Sequence, residues 1–304
     1  MGWSATTEGA ITDETLDEAA SVFAGMRPRL FGIAYQMLGG VAEAEDVVQE
    51  TWVKWQTADR AAVRDPAAFL VTMTTRLAIN VTQSARRRRE KYVGPWLPEP
   101  VDTGGRPEAG AEQAADVELA VLMLLERLSP PERAAYVLRE SFDYPYADIA
   151  AILRVTEANA RQLASRGRRR AAAGRRTPVS RTAHRRLLET FLAAARTGDL
   201  DALESLLAED AVSYSDSNGT VRGASRIPIT GRERVAKVVV AYAPRFWTGT
   251  SIAWVEANGR PAILVSRGGA AYALITISAS DDGIDQLLWV LNPDKLGGFS
   301  ASRA

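Results

Sequence analysis

The 304 residues of the chain are enough for two or three domains, and a hydrophobic share of 46% with a charged share of 24% is that of an ordinary globular protein. The absence of cysteine excludes disulfides and thiolate chemistry, and the single histidine argues against a metal or catalytic site built on histidines. No apolar run has the length of a membrane span and the N-terminus is acidic, so we expect a cytoplasmic protein without membrane contact.

Charge is segregated along the chain although the net charge is zero. Residues 1–60 are mostly acidic, whereas residues 158–187 hold ten arginines and no acid. Blocks of opposite sign indicate separate partners, and basic blocks indicate a phosphate-rich one.

The N-terminal part predicts amphipathic helices. The first helix ends at Gly39-Gly40, after Leu30, Ile33, Ala34, Met37 and Leu38 at helical spacing. The second covers about residues 42–55, with an inward face of Val47, Val48, Thr51, Trp52 and Trp55. Its other face presents Glu43, Asp46, Gln49 and Glu50.

The third helix begins with clear signals, because Asp65 is a good N-cap and Pro66 suits the first helical position. We expect its core face to consist of Phe69, Leu70, Met73, Leu77 and Val81. Its polar and basic face consists of Thr72, Arg76, Asn80, Gln83 and Arg87. Three such helices with short links predict a small helical bundle.

A proline-rich apolar stretch, GPWLPEP at residues 94–100, follows the third helix. Its prolines exclude a helix interior. Tyr92, Trp96 and Leu97 nevertheless favour burial, which an ordinary linker does not require. Residues 101–116 are rich in glycine, proline, alanine and acid, and they predict a flexible linker.

Residues 129–170 have the pattern of a helix-turn-helix. Ser129 to Glu132 form a capping box, residues 146–153 predict a short helix, and Thr156 caps a longer basic helix. Any helical hairpin can imitate this spacing, but the arginine-rich second helix favours DNA binding.

The composition changes after Thr177. Predicted helices at residues 184–200 and 200–210, and a third around 232–243, accompany strand-like runs at 211–216, 251–257, 261–267, 270–278 and 284–291. This order predicts an α+β domain that ends in an antiparallel meander.

Several stretches together resemble a known family. AEDVVQETWVKW and DPAAFLVTMTTRLAINVTQSARRRRE are similar to the core-binding and promoter-melting helices of a sigma-2 domain, and LSPPERAAYVLRESFDYPYADIAAILRVTEANARQLASRGRRR resembles a sigma-4 domain. FLAAARTGDLDALESLLAEDAV, WLPEP at 96–100 and NPDKL at 292–296 resemble the subgroup with an additional domain. The chain is therefore similar to extracytoplasmic-function (ECF) sigma factors with a fused C-terminal SnoaL-like, or NTF2-like, domain.

The resemblance implies a multidomain fold: two all-α sigma domains, a helical bundle and a helix-turn-helix, followed by an α+β NTF2-like cone domain. The implied parts are an N-terminal tail (1–20), the sigma-2 domain (21–95), a linker with the WLPEP motif (96–116), the sigma-4 domain (117–176) and the C-terminal domain (182–304). The chain departs from the subgroup at residues 216–220, which replace a glycine-rich stretch, and at residues 224–235. Small residues in the recognition helix (Ala160, Ala164 and Gly167) suggest looser packing of the helix-turn-helix.

The resemblance also implies site residues. Docking on the clamp helices of the largest polymerase subunit falls to Asp46, Gln49 and Glu50. Contacts to the minus-ten element fall to Arg76, Asn80, Gln83, Arg86 and Arg87. Contacts to the minus-thirty-five element fall to Glu157, Asn159, Arg161, Gln162, Ser165, Arg166, Arg168 and Arg169. No catalytic residue, metal or cofactor is implied.

We expect the linker to contact the C-terminal domain and to regulate the protein. The residues on the linker side are Tyr92, Trp96, Leu97 and Pro98. Those on the domain side are Asn292, Pro293, Asp294, Lys295 and Leu296. The alternative is that WLPEP packs only on the sigma-2 domain. Tyr214, Asp216, Tyr242 and Trp289 could line a small-molecule pocket in the cone, or they could simply fill it.

The leading prediction is a transcription initiation factor, and not an enzyme, that binds the clamp and flap of core RNA polymerase and promoter DNA. The C-terminal domain would regulate it in cis. The alternatives are a repressor or activator that acts without polymerase, and an enzyme or ligand sensor that uses the C-terminal pocket.

Overall fold

The computed structural model describes residues 8–89, 91–104, 117–173 and 176–299, without the side chains of residues 8–15 and 85–88. The described residues form two compact units. The first contains residues 8–85 and 128–168, and the second contains residues 86–104, 117–127 and 169–299.

The N-terminal part is helical. Its helices are α1 (Glu8–Leu38), α2 (Val41–Thr57), α3 (Pro66–Arg89), α4 (Leu119–Leu125), α5 (Pro130–Tyr136), α6 (Tyr146–Leu153) and α7 (Glu157–Ala172). Gly39, with φ of 71°, turns the chain between α1 and α2. The Asp65 carboxylate accepts a hydrogen bond of 3.0 Å from the Ala68 amide and so caps α3 as predicted. No helix in the described ranges is both long and apolar enough to cross a membrane.

The expected core face of α3 is wrong by a rotation around the helix. Of the five residues expected to be buried, Leu70 is fully buried and the others are only partly buried. Threonines occupy much of the true core face, which consists of Leu70, Val71, Thr74, Thr75, Ala78 and Thr82. Thr74 and Thr51 share a buried hydrogen bond of 3.1 Å, which satisfies hydroxyls that a purely apolar pattern assigns to the surface.

The helix-turn-helix follows the predicted boundaries. The capping box is present, with the Ser129 amide donating to Glu132 at 3.1 Å. Arg154 adopts a left-handed conformation, with φ of 55°, in the turn between α6 and α7, and Thr156 caps α7 by accepting from the Asn159 amide at 3.2 Å. A π-helical turn, Val137–Ser141, continues α5.

The expectation of looser packing in this motif is wrong at Gly167. A Cβ atom at this position would lie 3.0 Å from the Tyr136 Cβ and 3.2 Å from the Glu132 carbonyl oxygen. Ala160 and Ala164 are fully buried. The small residues therefore allow α7 to approach α5 closely, and they tighten the motif instead of loosening it.

The C-terminal part is an α+β domain, as predicted. It contains α8 (Arg181–Thr197), α9 (Leu200–Leu206), α10 (Arg232–Phe246) and the strands β1 (Leu207–Asp216), β2 (Ile229–Thr230), β3 (Thr250–Ala257), β4 (Arg260–Arg267), β5 (Ala270–Ser280) and β6 (Gly283–Val290). The strands form one sheet in the order β2-β1-β6-β5-β4-β3, in which β1 and β6 are parallel and the other pairs are antiparallel. Residues from α8, α10 and the sheet, such as Phe191, Val235 and Ile275, form its hydrophobic core.

One boundary in this domain differs from the prediction. The helix expected over residues 200–210 ends at Leu206, and β1 begins at Leu207. Leu207 pairs with Ile284 of β6, so cross-strand pairing overrides the helical pattern of the segment.

His184, the single histidine, offers a stability test of this domain. It is 4% exposed, and its Nε2 donates to the Pro261 carbonyl at 3.0 Å. Burial lowers the pKa of His184 below its ordinary value of 6.5. Between the folded and the unfolded pKa of His184, the unfolded chain binds more protons than the folded chain. The contribution of His184 to the free energy of unfolding is therefore fully present above about pH 6.5 and is lost as the pH falls through the folded pKa. The loss is at most about 1.4 kcal/mol per pH unit. Denaturation of the wild type and His184→Gln from pH 5 to 7.5 should show this slope only in the wild type.

Candidate functional site

The exposed face of α2 presents the residues predicted to dock on polymerase. Asp46, Gln49 and Glu50 are exposed, while Val47 and Val48 on the opposite face are buried. Glu50 makes an exposed i,i+4 ion pair of 3.4 Å with Lys54, an interaction of small energetic weight. The side chains are thus accessible to a partner.

The residues predicted to contact the minus-ten element occupy different environments on α3. Asn80 and Gln83 are exposed. Arg76 instead donates to the carbonyls of Ile152 and Ala151, at 2.9 and 3.1 Å, near the C-terminal end of α6. Carbonyls at the C-terminal end of a helix carry partial negative charge, so a guanidinium is a favourable ligand for them. The side chains of Arg86 and Arg87 lie outside the described residues.

The outward face of α7 carries most of the residues predicted to contact the minus-thirty-five element. Glu157, Arg161, Gln162, Ser165, Arg166, Arg168 and Arg169 are exposed, and Asn159 is partly buried. Two of the basic residues are held by acids, because Arg161 pairs with Glu157 and Arg168 pairs with Glu140 at 2.6 Å. Arg166 lies 3.4 Å from the buried carboxylate of Glu132, which positions its guanidinium.

Two groups of arginines on α7 should be separable by their effects on DNA binding. In the holoenzyme, Arg166→Ala should reduce discrimination between promoters by about 1–3 kcal/mol, because a base-reading arginine contributes that much. The double variant Arg169→Ala with Arg170→Ala should instead weaken binding to all sequences uniformly. The slope of the logarithm of the binding constant against the logarithm of the salt concentration should become shallower by about 0.9 for each phosphate that is no longer neutralised. Equilibrium binding to a set of promoters at several salt concentrations measures both. Equal weakening of every sequence by both changes would contradict base reading by Arg166.

The linker segment after α3 is held by the C-terminal domain within the second unit. Leu97 and Asp216 are fully buried. The Asp216 carboxylate accepts 2.7 Å hydrogen bonds from the Leu97 amide and from the Lys295 ammonium, and a further one from the Tyr92 hydroxyl. Lys295 also donates to the Leu97 carbonyl, and Asn292 donates to the Tyr92 hydroxyl at 3.0 Å. We call these five residues the linker clamp.

Trp96 lies against two cations beside the linker clamp. The Arg89 guanidinium lies 3.5 Å from the centroid of the indole ring and the Lys295 ammonium lies 4.4 Å from it. Arg89 also pairs with Glu126, just beyond α4. The ring thus stabilises both positive charges through cation–π contacts.

Burial and charge set the protonation behaviour of the linker clamp. Burial lowers the pKa of the Lys295 ammonium, and the Asp216 carboxylate opposes that effect. Burial and the hydrogen bond to Asp216 raise the pKa of the Tyr92 phenol. The phenol is therefore the proton donor to the carboxylate at neutral pH.

Asn258 holds two further segments of the chain. Its side-chain oxygen accepts from the Val101 amide at 3.1 Å, and its own amide donates to the Val101 carbonyl at 3.0 Å. Its side-chain nitrogen donates to the Val117 carbonyl at 3.2 Å. Nearby, the Thr103 amide donates to the Glu256 carbonyl at 2.9 Å. The turn between β3 and β4 thus binds the chain both after WLPEP and just before α4.

The remaining residues predicted at this contact differ in burial. Pro98 and Leu296 are buried, whereas Pro293 and Asp294 are exposed. Asp294 was one of the residues expected to contact the linker. In the structure the linker partner is its neighbour Lys295, and the Asp294 amide donates to Asn292 at 3.2 Å in a 3-10 turn.

Asp216 has a different place from the one expected. It was a candidate pocket residue, but it lies in the linker clamp, and Tyr214 also lies outside the cavity wall. Tyr242 and Trp289 do line a cavity in this domain. One feature of the sequence could have pointed to the role of Asp216 in the linker clamp: the altered loop 216–220 keeps an acid at its first position. Asn218 of that loop accepts from the Val93 amide at 3.4 Å, so the loop still contacts the linker.

Comparisons with known proteins agree with this architecture. Residues 22–90 match the family model of sigma-70 region 2, and residues 118–170 match that of sigma-70 region 4. The ECF RNA polymerase sigma factor SigJ of Mycobacterium tuberculosis strain H37Rv is 37% identical over 298 residues, which cover 91% of this chain and 93% of that protein. The probable ECF sigma factor SigI of the same strain is 28% identical, over 94% of this chain and 97% of that protein.

A solved structure supports the same relationship. The crystal structure of the Mycobacterium tuberculosis SigJ protein superposes with a TM-score of 0.72 at 32% identity, and covers 92% of this chain and 98% of that one. The similarity therefore extends through the C-terminal domain. The chain belongs to the ECF RNA polymerase sigma factors, which confirms the family that its motifs predicted.

Proposed function

We propose that this sigma factor binds core RNA polymerase through the acidic face of α2, and reads promoter DNA through α3 and α7. We further propose that the C-terminal domain modulates this activity in cis by gripping the chain between the two DNA-binding regions. The observation that carries the regulatory part is the linker clamp, in which a fully buried carboxylate holds the Leu97 amide at 2.7 Å. The partner of the sigma factor would be core RNA polymerase in the cytoplasm, which it would contact at the clamp helices of the largest subunit and at the flap.

The grip acts on both sides of the 105–116 segment. Residues 92–103 are bound through the linker clamp and Asn258, and the segment before α4 is bound through Glu118, which forms an ion pair with Arg260. Sigma-4 recognition requires a particular separation from the minus-ten helix. A domain that holds the chain at both points therefore limits the distances that the minus-ten helix and the sigma-4 domain can adopt.

The contact is suited to switching because its partners are covalently linked. A tethered partner has an effective concentration in the millimolar range, so even a weak interface is largely closed, and a modest ligand or protein contact can shift it. The rival that WLPEP serves only to end α3 predicts no effect of the C-terminal domain on residues 92–100.

Run-off transcription with purified core polymerase tests this function. Full-length protein, a chain that lacks residues 182–304 and the variant Leu97→Asp are compared on the same genomic fragments. Initiation should require core polymerase, and both altered chains should differ from the full-length protein in promoter output. Hydrogen exchange of residues 92–100 should be faster without residues 182–304. Equal exchange and equal output in all chains would contradict regulation in cis, and DNA-dependent regulation without core polymerase would favour the repressor or activator alternative.

A further inference from the structure

The C-terminal domain contains a cavity that is separate from the linker clamp. It has a volume of about 380 Å³ and lies between β1, β6, α10 and the loop 221–225. This volume is within the range of small-molecule sites, about 300–1,000 Å³. It is therefore large enough for an organic ligand.

Aromatic rings form one wall of the cavity. Phe246 lies at their centre, with ring centroids 4.7 Å from Trp247, 5.3 Å from Trp289 and 5.6 Å from Tyr272. Trp289 is further fixed because its indole donates to the Ser213 hydroxyl at 3.1 Å. A wall of mutually packed rings is preorganised for a flat apolar molecule.

Polar groups occur at a few points of the lining. The Ser213 hydroxyl accepts from Trp289 and retains its own proton for donation, and Ser215 adds a second hydroxyl. Arg222 and Arg245 contribute exposed guanidiniums, and neither forms an ion pair with any residue in the described part of the chain. Two cations and no lining carboxylate, among the described residues, favour an anionic group on the ligand.

The cavity and the linker clamp share two strand ends. Side chains alternate between the faces of a strand, so Ser215 lines the cavity while its neighbour Asp216 binds the linker. In the same way Leu291 lines the cavity while Asn292 holds Tyr92. A displacement of either strand end therefore moves residues of both the cavity and the linker clamp.

One loop that lines the cavity also lies close to the linker. Residues 221–225 line the cavity, and a Cβ atom at Gly94 of the linker would lie 3.7 Å from the Ser225 carbonyl oxygen and 3.5 Å from the Arg226 Cα. A side chain as small as a methyl group at Gly94 would therefore touch this loop, so the linker backbone passes close beside it. A movement of the loop thus has a short path to the linker.

We propose that this cavity binds a flat, mainly apolar small molecule with one anionic group, and that its occupation loosens the hold on residues 92–97. The binding site stands on the cavity alone, whereas its regulatory meaning rests on the proposed function of the linker clamp.

Two related dyes test the binding site in the full-length chain. One is 8-anilinonaphthalene-1-sulfonate, and the other is N-phenyl-1-naphthylamine, which has the same rings without the sulfonate. Both should bind saturably at one site per chain with increased fluorescence. Ala243→Phe, which fills the cavity, should weaken both dyes. Arg222→Gln with Arg245→Gln should weaken only the sulfonate, by about tenfold. The matched control Arg234→Gln, on the same helix but outside the lining, should change neither.

The outcomes separate the parts of the proposal. Unchanged affinity of both dyes for a folded Ala243→Phe variant would overturn the site. If that variant does not fold, the arginine variant decides, since both side chains are exposed and unchanged sulfonate binding would overturn the charge complementarity.

Hydrogen exchange measures the effect on the linker. Saturating sulfonate should speed exchange of the Val93 and Leu97 amides by about fivefold or more. Exchange that is unchanged with the dye bound would overturn the coupling. If the dye binds and loosens the linker but transcription is unaltered, the proposed regulation fails and this inference stands. If neither dye binds, the inference fails while regulation by the linker clamp is untouched.

Discussion

Replacing Asp216 with alanine is expected to destabilise the C-terminal domain by about 3–5 kcal/mol, since breaking a buried ion pair strands its partner. Lys295 is only 8% exposed and its ammonium would lose its carboxylate partner, while the Leu97 amide and the Tyr92 hydroxyl would lose their acceptor. Urea unfolding of the full-length chain, followed by tryptophan fluorescence, measures the change in the transition that contains this domain.

A control and a rescue sharpen the test. Glu233→Ala removes one partner of an exposed i,i+4 pair with Lys237, and it should cost no more than about 0.5 kcal/mol. The double variant Asp216→Leu with Lys295→Met should recover much of the lost stability, because an apolar pair replaces a buried ionic one at little cost. The double variant should nonetheless leave the Leu97 amide without its acceptor. An Asp216→Ala variant as stable as the Glu233→Ala control would show that the linker clamp is not a stabilising contact.

Charge reversal on α2, with Asp46→Arg and Glu50→Arg, is expected to weaken core polymerase binding by at least about 100-fold, because like charges across an interface cost several kcal/mol. Both residues are exposed, and Glu50 loses only a surface pair with Lys54. The fold should therefore be retained. Co-purification with core polymerase and a binding titration measure the loss.

The matched control for this variant carries the same change of charge elsewhere. Asp17→Arg with Glu18→Arg alters two exposed acids on α1 and should leave core binding within about threefold of the wild type at physiological salt, where distant charges are screened. Equal affinity of the α2 variant and the wild type would disprove docking through this face. Equal loss in both variants would indicate a general effect of charge.

Local signals predicted the helices and strands well wherever they were chemically distinct. The cap at Asp65, the capping box at Ser129 and the turn before Thr156 each lie where the sequence placed them, because a side-chain oxygen and a backbone amide define such ends within a few residues. The start of β1 was missed, since Leu207 obtains its strand partner, Ile284, from a distant part of the chain.

The candidate site was predictable to the extent that its chemistry was local. The exposed acids of α2 and the outward face of α7 follow from helical periodicity. The buried threonines of α3 do not, since the hydroxyl of Thr74, for example, finds its partner in Thr51 on another helix. Asp216 and Asn258 were not assigned to the linker contact for the same reason. Their partners lie more than a hundred residues away in the sequence, at Leu97 and Val101.

The attachment of the linker has a consequence for engineering chimeric proteins. Residues 92–103 contribute main-chain hydrogen bonds to Asp216, Asn258 and Glu256, and thus complete the surface of a domain that is encoded after residue 180. A graft of residues 182–304 alone onto another sigma factor would expose the buried Asp216 carboxylate. It would also leave the turn between β3 and β4, at Asn258, without its hydrogen bonds to the linker. The transferable module is discontinuous: besides the C-terminal domain it comprises the tail of α3, the WLPEP segment and residues 117–127, which belong to the same compact unit. These parts must be exchanged together.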